Sequence, residues 1–360
     1  MEGALYFPYI QVPPSAWFTR SLLYWDDVGT IVPESWIERP ESLGEPTLEL
    51  VRRGLVRQVF PAEVADDLDV RFHQWLNHLS DTEMDHRRKC FRSGEVANVH
   101  VDKWLRYRGG IEEVAAMGLA NRRPRRGWVE VESNTANEFM AALALGLCHP
   151  KSGLSRNSGC TWLPATDISA AFRVLLTGLE RTEPVSSADR DAQRRLRGEL
   201  EASEVRTSLL EKALPVPVEP VDVDRIERIR RRYGDMLPRC RRHVEALMDR
   251  ALEMDEVRQL RVVDRLAEEV GELAEQAEAY LREAGIRRIT RSSLVRMLKF
   301  VPAVAGAASA TVETAQALET AGGFQAETLA YLALAHAEME IEGRYQAASG
   351  NAPFVEMLKP

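Results

Sequence analysis

The sequence predicts an α/β N-terminal domain with a mostly parallel sheet, open or closing into a partial barrel, followed by an all-α domain built on a long antiparallel helical hairpin. Three observations carry that prediction. Through residues 1–182, short apolar runs alternate with amphipathic stretches of helical length, the pattern of βαβ units. Across Leu214-Pro215-Val216-Pro217-Val218-Glu219-Pro220, prolines hold the chain extended and forbid a helix. Beyond Asp222 almost everything is helix-forming and laced with charge. The expected division is an α/β domain over 1–182, a charged and proline-rich connector over 183–221, and a helical domain over 222–350.

Strands are expected at 4–10, 30–33, 55–60, 96–101, 127–131 and 160–163, where β-branched and aromatic residues concentrate. Helices are expected near 15–27, 47–53, 67–80, 110–120, 134–148 and 167–179. In the fifth of these, Phe139, Met140, Leu143 and Leu147 recur at helical spacing and define the face that packs on the sheet. Ser133 or Asn134 can cap its first turn, and Thr166 or Asp167 can cap the next helix. In the second part, Ile226, Ile229, Tyr233, Leu237, Cys240, Val244, Leu247 and Ala251 predict one long helix kinked at Pro238. Val257 through Leu281 predicts its antiparallel partner. No fixed-period repeat is visible, which argues against a solenoid.

The chain has 360 residues, ample for two domains, and its net charge of −8 supplies no overall attraction to polyanions. General nucleic-acid binding is therefore not expected. Cys90, Cys148, Cys160 and Cys240 form no CxxC pair, so neither a structural zinc site nor a disulfide framework is expected, and a reducing cytoplasm is the simplest setting. No basic n-region precedes the opening apolar run, which reads as a first strand. No window reaches the roughly 20 apolar residues of a spanning helix, and the Ala/Gly stretch at 297–312 is too short and too weakly apolar.

The opening Ala4-Leu5-Tyr6-Phe7-Pro8-Tyr9-Ile10, with Ser21-Leu22-Leu23-Tyr24-Trp25-Asp26-Asp27-Val28 and Thr30-Ile31-Val32-Pro33-Glu34, resembles a bacterial family defined as a domain of unknown function. Gly127 to Val131 leading into Thr135 to Ala144, and Pro215 to Arg242, are similar to later segments of that family. The resemblance implies a bacterial cytosolic setting. It implies no activity and no catalytic residue.

Several clusters are candidate sites. If all the early strands run parallel, His100, Asp102, Glu132 and Asp167 gather at one edge, where carboxylates and an imidazole could serve as acid and base or hold a cation. No HxH or HExxH spacing supports a metal site, and no cofactor is indicated. A basic loop, Arg122-Arg123-Pro124-Arg125-Arg126-Gly127, could bind a phosphate, although neither GxxxxGK[ST] nor GxGxxG after a strand is present. Trp17, Arg20 and Tyr24 share a helix and could form a recognition surface, or simply a core face. The arginine stripe from Arg228 to Arg242 is expected to pair with glutamates of the facing helix.

The function these features favour is a bacterial cytosolic interaction and ligand-recognition protein, its helical domain serving self-association or a protein partner. One alternative is a metal-assisted hydrolase working through the strand-edge carboxylates. Another is a membrane-acting effector using residues 297–312.

Overall fold

The computed structural model describes residues 2–64, 79–104, 110–121, 123–168 and 222–252, with isolated positions elsewhere, among them Phe72, Leu76, Arg206, Glu211, Leu214 and Tyr331. The chain divides into two compact units, one of Met1–Pro13 with Trp25–Glu201 and a second of Pro14–Tyr24 with Ala202–Pro360.

In chain order the described elements are β1 (Glu2–Tyr6), α1 (Ala16–Tyr24), β2 (Asp27–Ile31), the single turn α2 (Glu34–Ile37), α3 (Glu45–Arg52) and β3 (Arg57–Val59). There follow α4 (Asp81–Ser93), β4 (Val96–His100), a 3₁₀ turn at Val101–Trp104, α5 (Gly110–Ala116), β5 (Trp128–Glu132), α6 (Ser133–Cys148), α7 (Gly153–Ser158) and β6 (Thr161–Ala165). The second unit holds α1, α8 (Val223–Tyr233) and α9 (Leu237–Leu252).

The main sheet has four parallel strands in the order β3-β2-β1-β6. Its central strand β1 is buried along almost its whole length, as strands covered on both faces require. α6 lies against β6 and β1 through the face expected of it, with Phe139, Met140, Leu143 and Leu147 all buried. These join Leu5, Ile31, Val59, Val129, Val131 and Trp162 in one core. The four cysteines are buried free thiols.

Two elements depart from expectation. β4 and β5 do not extend the parallel sheet but pair antiparallel in a sheet of their own, with Val96 opposite Glu132 and His100 opposite Trp128. Their residues alternate between faces, Val99, Val129 and Val131 turned to the main core and Asn98 and Glu130 to the opposite face, where Trp128 packs against a second cluster of Ile10, Val32, Leu43 and Leu48. The second departure is α4, which apolar periodicity does not predict because its composition is polar. Its ends carry local signals nonetheless: Ser80 accepts from the Glu83 amide at the start, and Gly94, at φ 92°, closes the end in the left-handed region.

In α6 the capping residue is Glu132 rather than Ser133 or Asn134. Its carboxylate accepts from the Asn134 and Thr135 amides at 3.0 and 2.8 Å and from the Thr135 hydroxyl at 2.7 Å. A charged acceptor at a helix N-terminus gains from both the free amides and the macrodipole. After β6, Thr166 accepts from the Ile168 amide at 3.1 Å, and the helix expected there lies outside the described residues.

In the second unit the expected single helix over 226–251 is two, α8 and α9, separated at Gly234–Met236. Pro238 lies in the first turn of α9, where a missing amide costs nothing, so it starts a helix instead of kinking one. The arginine stripe has a use that periodicity does not reveal. The C-terminal end of α1 is buried, and its last carbonyls need donors. Arg230 Nη1 donates to Leu22 O at 3.1 Å, the Tyr331 hydroxyl donates to Leu23 O, and Arg241 donates twice to Tyr24 O, at 3.1 and 2.7 Å. The guanidinium of Arg241 also lies 5.6 Å from the centre of the Tyr24 ring. The facing segment 257–281 and the stretch 297–312 lie outside the described residues.

Candidate functional site: an arginine and tryptophan cleft

The antiparallel pair acquires a third strand-like neighbour from the chain just before β5. Glu132 N donates to Leu119 O at 2.7 Å, Asn121 N to Glu130 O at 2.9 Å, and Arg125 and Trp128 exchange both backbone bonds at 2.8 and 3.0 Å. Residues 119–121 and 123–125 thus lie along β5 on the side away from β4, and a two-residue turn, Arg126-Gly127, closes the hairpin. Both turn residues have positive φ, 53° and 85°, the geometry that matches the twist of flanking strands.

On the outward face of this ribbon is a cleft of about 450 Å³ lined by Asn98, Asn121, Arg123, Arg125, Trp128 and Glu130. Register explains the grouping. Asn98 lies opposite Glu130 and Glu130 beside Asn121, while Trp128 lies opposite His100 and beside Arg125. Residues directly across a ladder share a face, so a polar row and an aromatic row lie side by side. Asn121 Nδ2 donates to Glu130 Oε2. Arg123 and Arg125 are exposed, and their guanidinium groups make no ion pair or hydrogen bond among the described residues.

Behind Trp128 is His100, 8% exposed. The two rings meet edge to face with centroids 5.1 Å apart, and Trp36 stands steeply inclined to both, 6.1 Å from Trp128 and 6.3 Å from His100. His100 Nδ1 accepts from the Asp102 amide at 3.2 Å, which puts the ring proton on Nε2. Burial lowers the imidazole's affinity for a second proton and Lys103 adds to that, with the Asp102 carboxylate opposing both. Asp102 Oδ2 lies 3.6 Å from His100 Nδ1 and accepts the Ser35 hydroxyl at 2.5 Å. Ser35 is therefore bonded to the carboxylate, not the imidazole, and the three do not form a nucleophilic relay.

Gly127 ties the turn to this histidine. A Cβ built there would come 2.7 Å from His100 Nε2, in a backbone conformation that side chains disfavour. Gly127→Ala is expected to destabilise the first unit by about 2–4 kcal/mol, from left-handed strain plus displacement of the imidazole. Urea unfolding reads the loss. A variant within about 0.5 kcal/mol of the parent would show the turn to be adaptable.

Of the residues singled out from sequence, the fold brings His100 and Asp102 together, 3.6 Å apart, and takes Glu132 away from them. Glu132 is at the far end of the ribbon, four residues along β5 from Trp128 and so roughly 13 Å away. It is 1% exposed, employed as the α6 cap, with Arg87 Nη1 at 4.0 Å. That arginine is itself buried and held by Glu83 at 2.9 Å, Glu138 and Thr135. Asp167, beyond β6, accepts the Tyr6 hydroxyl at 3.1 Å. The shared carboxylate edge needed β4 and β5 to be parallel to the rest, and they are not. Among the described residues no three His, Cys, Asp or Glu side chains gather as metal ligands.

Arg123 and Arg125 line the cleft, Arg126 forms its turn, and Arg122 lies outside the described residues. Trp17, Arg20 and Tyr24 belong to the second unit. There Tyr24 is 1% exposed and donates to Glu245 Oε1 at 2.6 Å, while Arg20 donates to Leu214 O at 3.2 Å with Glu211 at 3.8 Å. Internal packing accounts for both.

Sequence reasoning missed Asn98, Asn121, Trp128 and Glu130. The alternation of Trp128 and Glu130 with buried valines was the available signal, but which strand lies opposite them is not encoded locally. It also missed Lys103, in the 3₁₀ turn. Lys103 is 3% exposed, and the one hydrogen-bond contact of its Nζ among the described residues is Met140 Sδ at 3.7 Å. Burial pulls its ammonium down to about 7. The adjacent Trp104 stacks on Phe139 at 3.6 Å, and its buried indole N–H has no acceptor among the described residues.

A scan against protein-family models found no match, and searches of the curated proteins and of solved structures found none either. No helix among the described residues is long and apolar enough to cross a membrane.

Proposed function

We propose that this chain is a ligand-recognition protein whose first unit binds a phosphate-bearing small molecule in the cleft of the β4–β5 ribbon. The observation that carries the reading is the pair Arg123 and Arg125, exposed, unengaged among the described residues, and on one wall of a cleft with Trp128. An arginine held in an internal ion pair has a structural reason to exist. These two have none of that kind, and a planar fork of donors matches a phosphate. With a net charge of −8 the molecule repels anions at long range, which favours a compact ligand over a polyanion.

Titration calorimetry with inorganic pyrophosphate tests the reading. Each of Arg123→Ala and Arg125→Ala is expected to weaken binding by about tenfold or more, the worth of a charge-assisted hydrogen bond to phosphate. Affinity should also fall as salt rises. Undiminished pyrophosphate binding by the double variant, or none by the parent, would sink the reading.

The other half of the proposal is an all-α second domain that associates with itself or a protein partner. It rests on the amphipathic pattern of 257–281 in the sequence. An enzyme at the strand edge is the second reading, and it would have to work through His100 and Asp102, the two candidates 3.6 Å apart. The resemblance of the opening motif is what suggests a bacterial cytoplasm.

A further inference from the structure

We infer that the cleft takes a free guanine nucleotide, its base on Trp128 with its donor edge toward Glu130, and its phosphates between Arg123 and Arg125. The inference rests on the phosphate reading above and adds the identity of the rest of the ligand.

Trp128 supplies the platform. Among the described residues it is the one aromatic side chain lining the cleft, and it is held by the steeply inclined rings of His100 and Trp36 and by a cluster of Ile10, Val32, Leu43 and Leu48. A fixed indole in an otherwise polar cleft offers a surface for a flat heterocycle, and stacking a base on such a ring contributes about 1–3 kcal/mol. A bare phosphate or a sugar phosphate has no use for it.

The polar row supplies the base reader. Among the described residues Glu130 is the one carboxylate lining the cleft, flanked by Asn98 on β4 and Asn121 on the other side. Its Oε2 already accepts from Asn121 Nδ2, which orients the carboxylate and leaves Oε1 and a second lone pair of Oε2 to accept from a ligand. An ionised carboxylate can only accept. The base edge that suits it must therefore present adjacent donors. Guanine does so with N1–H and the N2 amino group. Adenine and cytosine put a ring acceptor beside their amino group, and uracil flanks its single N–H with two carbonyls, so each would set an acceptor against the carboxylate or its neighbour. Asn98, which makes no side-chain hydrogen bond among the described residues, can complement the guanine O6 with its amide donors.

The arginines supply the anion site at the other wall, and the volume fits. At about 450 Å³ the cleft is in the range of small-molecule pockets and of the size for one nucleoside mono- or diphosphate. Neither the turn nor the arginines use a helix N-terminus, so the site is unlike a glycine-rich phosphate loop, whose sequence is absent from this chain.

The test is calorimetric titration of the full chain with GDP, ADP, guanosine, inorganic pyrophosphate and a short guanine-containing RNA. GDP is expected to bind at least about tenfold tighter than either ADP or pyrophosphate, because the wrong base leaves the carboxylate facing an acceptor. Glu130→Gln, which can donate as well as accept, should bring the GDP to ADP ratio close to one. Equal affinity for GDP and ADP in the parent protein overturns the inference whatever the variant does. Pyrophosphate binding that GDP does not exceed overturns it too, and leaves the phosphate reading standing. No binding by any of the five ends both. An RNA that outcompetes GDP would replace the free nucleotide with a nucleic-acid partner.

Discussion

Lys103→Met is expected to raise the stability of the first unit, by on the order of 4 kcal/mol at neutral pH. Lys103 is buried beside Met140 with no carboxylate to answer its charge among the described residues, and burial lowers its ammonium to about 7. In the unfolded chain a lysine holds its proton up to about 10.4. Between those two values the unfolded chain binds more protons than the folded one, so stability climbs as pH rises through that window and is lost as pH falls toward 7. Methionine fills a similar volume without a charge to dehydrate. Urea midpoints for parent and variant should therefore be far apart near neutrality and converge above about pH 10.4. Curves separated by a constant offset at every pH would show that the ammonium is not the source of the cost.

Glu245→Ala is expected to destabilise the second unit by about 3–5 kcal/mol. Glu245 receives Arg206 through two bonds of 2.6 and 2.7 Å and the Tyr24 hydroxyl at 2.6 Å. Arg206 is 3% exposed and Tyr24 1%, so removing the carboxylate takes the bidentate acceptor from a buried cation and from a buried phenol together. Burial and the neighbouring carboxylate hold that phenol well above its ordinary pKa, so it remains a donor at any ordinary pH. The discriminating measurement is a double-mutant cycle. If the loss is uncompensated charge rather than lost packing, Arg206→Met combined with Glu245→Met should recover most of it. Additive losses would assign the cost to packing.

Much of the fold is legible in the sequence, for reasons particular to each element. Each of the six expected strands appears, within a few residues of its place, because each is a short β-rich run bounded by turn chemistry. The packing face of α6 follows from the spacing of Phe139, Met140, Leu143 and Leu147. α4 escaped a search for apolar periodicity, although Ser80, Glu83 and Gly94 marked both its ends. The site is only half legible. The arginine loop stands out as a run of like charge, yet its cleft is completed by Asn98 from another strand and by a tryptophan that Trp36 and His100 orient. Conversely, the edge expected to gather Asp102, Glu132 and Asp167 loses Glu132, because it required β4 and β5 to run in one direction.

What the sequence determined by itself is local: which segments are strands or helices, which faces are apolar, and that four basic residues surround Pro124. Tertiary structure alone decided that β4 and β5 run antiparallel apart from the main sheet. It also decided that Lys103 is sealed from water, and that Arg230 and Arg241 satisfy carbonyls more than two hundred residues away in α1. The reason is common to all three. A period of two is the same for either strand direction, and a side chain's burial or hydrogen-bond partner depends on what arrives from distant sequence, which no local pattern records.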